Sequence, residues 1–111
     1  MSYELEASYA DGYNDGVAFA GYHFGMWQDA KGPPIPWPGR VSGIELFINV
    51  CLPMMKTALR VKLLQDARES GIDAADLVIP SDFTKGVEDG YRAQLTQLLQ
   101  GLIKQRDIRG Y

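Results

Sequence analysis

Residues 4–29 read ELEASYADGYNDGVAFAGYHFGMWQD, and this stretch decides the fold. Tyr9, Tyr13, Val17, Ala20, Phe24 and Trp27 recur every third or fourth residue, which places them on one stripe of a helix. Asp11, Asp15 and Asp29 fall on the other side. The spacing predicts an amphipathic helix over about residues 4–29. Gly12, Gly16, Gly21 and Gly25 stand inside it. Each glycine costs about 1 kcal/mol relative to Ala in a helix interior, so the helix needs tertiary support. The four form two small-xxx-small pairs on roughly opposite faces. A face without Cβ atoms lets a second helix, subunit or ligand approach closely.

Beyond this helix, Pro33, Pro34, Pro36 and Pro38 make residues 31–40 an extended crossover, with Ile35 and Trp37 expected to pack on the helices. Ser42 and Glu45 have the spacing of a capping box, with Val41 and Leu46 as a hydrophobic staple, and Gly71 supplies a stop signal after about Ser70. Ile44, Phe47, Ile48, Cys51, Leu52, Met55, Ala58 and Leu59 share one face of this second helix. Leu46, Val50, Met54 and Val61 cover another, so its first half is apolar nearly all round and is expected at the centre of the molecule. Pro53 inside it predicts a kink over residues 49–53. Asp73 and Asp76 suggest one capped turn through Val78, closed by Pro80. Ser81 or Asp82 then caps a third helix over residues 82–107, with Phe83, Val87, Tyr91, Leu95, Leu98 and Leu102 on its stripe, widened by Leu99 and Ile103. Gly86 and Gly90 add another small-residue pair, and residues 108–111 are expected to fray. Asp-Gly-Tyr occurs at 11–13 and 89–91, too short a match to define a repeat.

These elements predict a single all-α domain over residues 1–111, an elongated bundle of three long helices with a proline-rich crossover. So short a chain with so wide an apolar surface is expected to bury some of it against copies of itself, as a homo-oligomer. The composition, 46% hydrophobic and 23% charged, is that of an ordinary globular protein. A net charge of −3 is the wrong sign for non-specific nucleic-acid binding and too small to imitate DNA. Residues 1–30 hold five acids and no Lys or Arg, whereas residues 31–70 hold six bases and three acids. Acidic and basic elements of this kind favour pairing, within a chain or between chains. Cys51 is the only cysteine, which excludes an internal disulfide and suits a reducing, cytoplasmic compartment. Its apolar surroundings point to a buried, inert thiol. The most apolar run, residues 44–55, is too short to span a bilayer and carries Glu45 and Asn49.

Chemistry is sparse. Asp11-Gly-Tyr-Asn-Asp15-Gly16 resembles the start of a calcium loop but has Tyr13 and Tyr22 where two ligands belong. His23, the only histidine, has Phe19 and Trp27 at the positions where a helical metal site needs partners, and reads as an interface or surface residue. No nucleophile–base pairing or phosphate loop can be argued from the spacing, so neither enzyme activity nor a cofactor is expected.

In its size, its acidity and the Gly-, Tyr- and Asp-rich helix from Tyr9 to Gly25, the chain resembles small acidic accessory proteins of bacteriophages, some of which inhibit host defence systems. The resemblance implies a non-enzymatic protein-binding module that blocks a host complex, such as a CRISPR effector, by occupying a surface. Asp11, Asp15, Tyr22 and Trp37 are the expected contacts. An alternative is a sponge that binds a small nucleotide signal between subunits, with His23, Trp27, Trp37 and Arg40 offering flat faces and a phosphate partner. A purely structural or assembly role is a third.

Overall fold

The computed structural model describes residues 2–108. Helix α1 spans Tyr9–Asp29 rather than beginning near residue 4. Ser8 starts it: its hydroxyl accepts from the Asp11 backbone N–H, and the Asp11 carboxylate accepts from the Ser8 N–H at 2.8 Å. The residues before the cap turn extended. Strand β1 (Tyr3–Glu4) pairs in parallel with β2 (Leu77–Val78), a small departure from an all-α chain. Helix α2 runs Ile44–Glu69 and α3 runs Ser81–Ile108. The tail expected at 108–111 lies outside the described residues, apart from the last helical position, Ile108.

Helices α1 and α3 form the spine. They lie parallel, since both leave the paired strands at the same end, and they cross with their backbones in contact. A Cβ on Gly12 would sit 2.1 Å from the Phe83 carbonyl oxygen, and one on Gly16 2.1 Å from that of Val87. Reciprocally, a Cβ on Gly86 would meet the Tyr9 oxygen at 2.2 Å and one on Gly90 the Tyr13 oxygen at 2.1 Å. One constant offset along the chain therefore relates Tyr3 to Leu77, Tyr9 to Phe83, Gly12 to Gly86, Asp15 to Asp89 and Gly16 to Gly90. The segment aromatic-x-x-Gly-x-x-Asp-Gly occurs twice, about a local two-fold axis running between the helices. This pairing has a different register from the Asp-Gly-Tyr match.

The buried face of α1 is Gly12, Gly16, Ala20, His23 and Trp27. Gly12 and Gly16 meet the α3 backbone, and of the expected stripe only Ala20 and Trp27 are buried, while Tyr9, Tyr13, Val17 and Phe24 are not. Phe83, Val87, Tyr91, Leu95, Leu99 and Ile103 of α3 are buried in the core. Burying each such side chain contributes about 1.5–3 kcal/mol.

Helix α2 runs antiparallel to the spine and adds Ile44, Phe47, Ile48, Cys51, Leu52, Met55 and Leu59 to the core. It is not central. Leu46, Val50, Met54 and Val61 remain exposed, so only one of its apolar faces is covered. The Ser42–Glu45 box does not form, because Val41–Gly43 is a 3₁₀ turn and Gly43, which has no side chain, takes the cap position. Pro53 lies within one continuous helix. At the other end, Gly71 (φ +79°) and Ile72 donate to the Arg68 and Ala67 carbonyls at 3.0 and 2.8 Å, a Schellman stop. Asp73 caps the turn as expected, but the turn covers only Ala74–Asp76 rather than running through Val78, because Leu77–Val78 pairs as β2. Helix α3 starts at Ser81, so Ser81 and Asp82 lie inside its first turn rather than before it.

The crossover packs through Trp37, which stacks on Phe47 at 5.9 Å and 15° and meets Phe24 and Trp27 edge-on. Ile35 packs beside it. The radius of gyration is 16.1 Å and the extents are 58 × 25 × 18 Å. A compact chain of this length would have a radius of about 13 Å, so the bundle is elongated.

Candidate functional site

The local two-fold places Asp15 and Asp89 at equivalent positions and equips them differently. Asp89 accepts from the Tyr9 hydroxyl at 2.7 Å and from Lys85 Nζ at 3.1 Å. The hydrogen bond from Tyr9, with Lys85 beside it, holds the Asp89 carboxyl below its usual range and lifts the Tyr9 phenol. At the symmetric position, Tyr9 is replaced by Phe83 and Lys85 by Asp11, and neither can donate. The Asp15 side chain has no hydrogen bond or ion pair within the described residues.

Asp15 opens instead onto a groove of about 210 Å³ lined by Ala18, Phe19, Tyr22 and Lys62. Asp15, Phe19 and Tyr22 are one helical step apart on α1, and Lys62 reaches over from α2 with Nζ 5.9 Å from the Phe19 ring centre. Tyr22 is 67% exposed. The arrangement offers an acceptor, a phenol and an apolar floor to a side chain arriving from outside. Phe19 and Lys62 were not singled out from the sequence. The i, i+4, i+7 spacing of Asp15, Phe19 and Tyr22 was a visible signal for the first, but nothing local joins Lys62 to them.

The other expected contacts lie elsewhere. The Asp11 carboxylate is committed to the helix cap, and hydrogen bonds from Ser8 hold its pKa down. Trp37 is half-buried among rings at the far end of α1. Of the four, only Asp15 and Tyr22 share one groove.

The alternative set is also dispersed. His23 is buried, not on the surface, and its Nδ1 lies 3.0 Å from the Tyr91 hydroxyl. Its ring is surrounded by Phe19, Tyr22, Trp27 and Tyr91. Burial pushes the imidazole pKa down and the Tyr91 phenol up, so both are held neutral. Trp27 is a core residue packed edge-on against Phe47, and Arg40 is exposed on the crossover. Cys51 is buried, with its thiol pushed up to about 11 by desolvation. Among the described residues no three His, Cys, Asp or Glu side chains cluster as a metal site, and no helix is long and apolar enough to cross a membrane.

Together these features define the class: a mostly helical three-helix scaffold built on a glycine-paired spine, with an open groove between Asp15, Phe19, Tyr22 and Lys62. No protein-family model matches the chain, and neither does any curated protein or solved structure.

Proposed function

We propose that the chain is a non-enzymatic protein-binding module that captures a basic or phenolic side chain of its partner at Asp15, with Tyr22 beside it. One observation carries this reading: the molecule's own second copy of the site, Asp89, shows what an occupant supplies. There a phenol and an ammonium fill the carboxylate. Asp15 has the equivalent place on α1, and although Tyr22 and Lys62 line its groove, neither bonds to it among the described residues. The remaining acidic face of α1 (Asp11, Asp29) would steer a basic partner surface towards it. A bacteriophage inhibitor that covers a surface of a host defence complex, such as a nucleic-acid-binding CRISPR effector with its basic channel, fits this chemistry and the resemblance of residues 9–25.

The test is a pull-down from host lysate with tagged full-length chain, wild type against Asp15→Lys and Tyr22→Ala. The wild type should retain a protein at fixed stoichiometry. Both variants should lose it while melting at the wild-type temperature, since neither side chain is in the core. Undiminished capture by Asp15→Lys would overturn the reading. The nucleotide alternative is less favoured, because Trp27 and Trp37 cover each other and Phe47 rather than facing an opening.

A further inference from the structure

We infer that the occupant of the Asp15 groove is a tyrosine of the partner, its hydroxyl donating to the Asp15 carboxylate, rather than a lysine or an arginine. The inference rests on the reading of Asp15 as the contact and narrows it to one side-chain class. The filled site at Asp89 has three parts: a carboxylate, an ammonium from Lys85 at 3.1 Å, and a phenol from Tyr9 of the neighbouring helix at 2.7 Å. The groove at Asp15 already holds two of them. Asp15 is the carboxylate, and Lys62, arriving from α2, is the ammonium. The missing part is the phenol. Tyr22 does not supply it: it lines the same groove but makes no hydrogen bond to Asp15 among the described residues. It sits seven residues further along α1, about 10 Å by helix rise.

Charge and shape select the phenol over a cation. The Lys62 ammonium lies 5.9 Å from the centre of the Phe19 ring and has no ion pair among the described residues. A second cation in the groove would meet like-charge repulsion, and would have to displace Lys62 from the ring face it would itself use. A phenol is neutral and escapes both costs, and its O–H bonds a carboxylate more strongly than a neutral acceptor. The groove of about 210 Å³ has room for the ring, since an apolar cavity of about 150 Å³ takes up benzene. Phe19 follows Asp15 by four residues, as Ala93 follows Asp89, so the open site has an aromatic wall that the filled one lacks. Rings pack on such a wall edge-on or offset. The acidic face of α1 can still steer a basic partner surface, and the tyrosine is what that surface delivers.

Four blocked amino acids, N-acetyl-tyrosinamide and its phenylalanine, lysine and arginine counterparts, titrated into the ¹⁵N-labelled full chain over the millimolar range, test this. The tyrosine derivative should bind most tightly, moving the amide signals of Asp15, Phe19 and Tyr22. It should exceed the phenylalanine derivative, which lacks only the hydroxyl, by about tenfold. Asp15→Asn should reduce that preference, and Lys62→Met should strengthen the two cationic probes while leaving the tyrosine derivative bound. Both side chains are exposed, so signals away from the groove report that the variants stay folded. Tighter binding of the lysine or arginine derivative by the wild type, dependent on Asp15, overturns the inference and leaves capture of a basic side chain standing. Equal binding of the tyrosine and phenylalanine derivatives overturns it as well. A groove that takes none of the four overturns both this inference and the reading of Asp15 on which it rests.

Discussion

Lys31 occupies a position shaped for glycine. It follows the α1 C-cap with φ +63°, and the next residue, Gly32, donates to the Trp27 carbonyl at 2.6 Å, the same Schellman geometry that Gly71 completes after α2. A side chain in the left-handed region is strained, whereas glycine is not. Lys31→Gly should therefore stabilise the protein by about 0.5–1 kcal/mol, read as a shift in urea midpoint at unchanged slope. His23 supplies the second residue-scale prediction. Burial lowers its folded pKa below the ordinary 6.5, so the unfolded chain binds the proton more readily than the native state. His23 thus contributes stability that is fully present above pH 6.5 and is lost as pH falls through the lower folded value. Asp11 and Asp89, lowered from 3.8, act only at more acidic pH. Urea midpoints between pH 7 and 5 should fall for the wild type and stay flatter for His23→Gln. Equal slopes would mean that the imidazole is hydrated. This burial could not be read from the sequence. His23 flanks the aromatic stripe by spacing, and only the glycine contact with α3, by rotating α1, turns it inward.

The glycines decide the helix pairing at the scale of the element. Gly16 and Gly21 look alike in the sequence, and both were expected to cost helix stability. Their surroundings are opposite. A methyl on Gly16 would strike the backbone of Val87 and Tyr91 at 2.1–2.9 Å, whereas one on Gly21 meets nothing within 4 Å. Gly16→Ala should force the spine apart and destabilise by about 1–3 kcal/mol or more. Gly21→Ala should instead stabilise by about 1 kcal/mol. Thermal melts of the two variants should move in opposite directions, and two changes of the same sign would contradict the crossing. Element identity was largely legible, because 3.6-residue periodicity survives tertiary packing, and so was the Gly71 stop. Starts were less legible. Glu4 to Ala7 look helical, but the Ser8–Asp11 box and the pairing of Tyr3 with Leu77 divert them, and that pairing depends on residues far along the chain. The Ser42–Glu45 pattern failed because Gly43 let the chain turn once more before the helix began.

Across the whole molecule, the aromatic residues near the N-terminus divide into two populations that the sequence does not separate. Tyr22 faces outward over the Asp15 groove, whereas Trp37 locks the crossover between α1 and α2 by stacking on Phe47 and meeting Trp27 and Phe24. Their distance along the chain is no guide, because the division depends on where α2 returns along the spine. The two substitutions should therefore behave as opposites. Trp37→Ala removes a half-buried ring from a four-ring cluster and should cost about 2–4 kcal/mol, somewhat less than deleting a fully buried Trp. It should lower the melting temperature and change the near-ultraviolet circular dichroism of the remaining Trp27, yet leave partner capture intact at temperatures where the chain is folded. Tyr22→Ala should leave the melt within about 0.5 kcal/mol of wild type and abolish capture. Measuring both quantities on both variants assigns each ring to its role. Loss of capture by Trp37→Ala below its melting transition would place the binding surface at the crossover end of α1 and exclude the Asp15 groove as the sole contact.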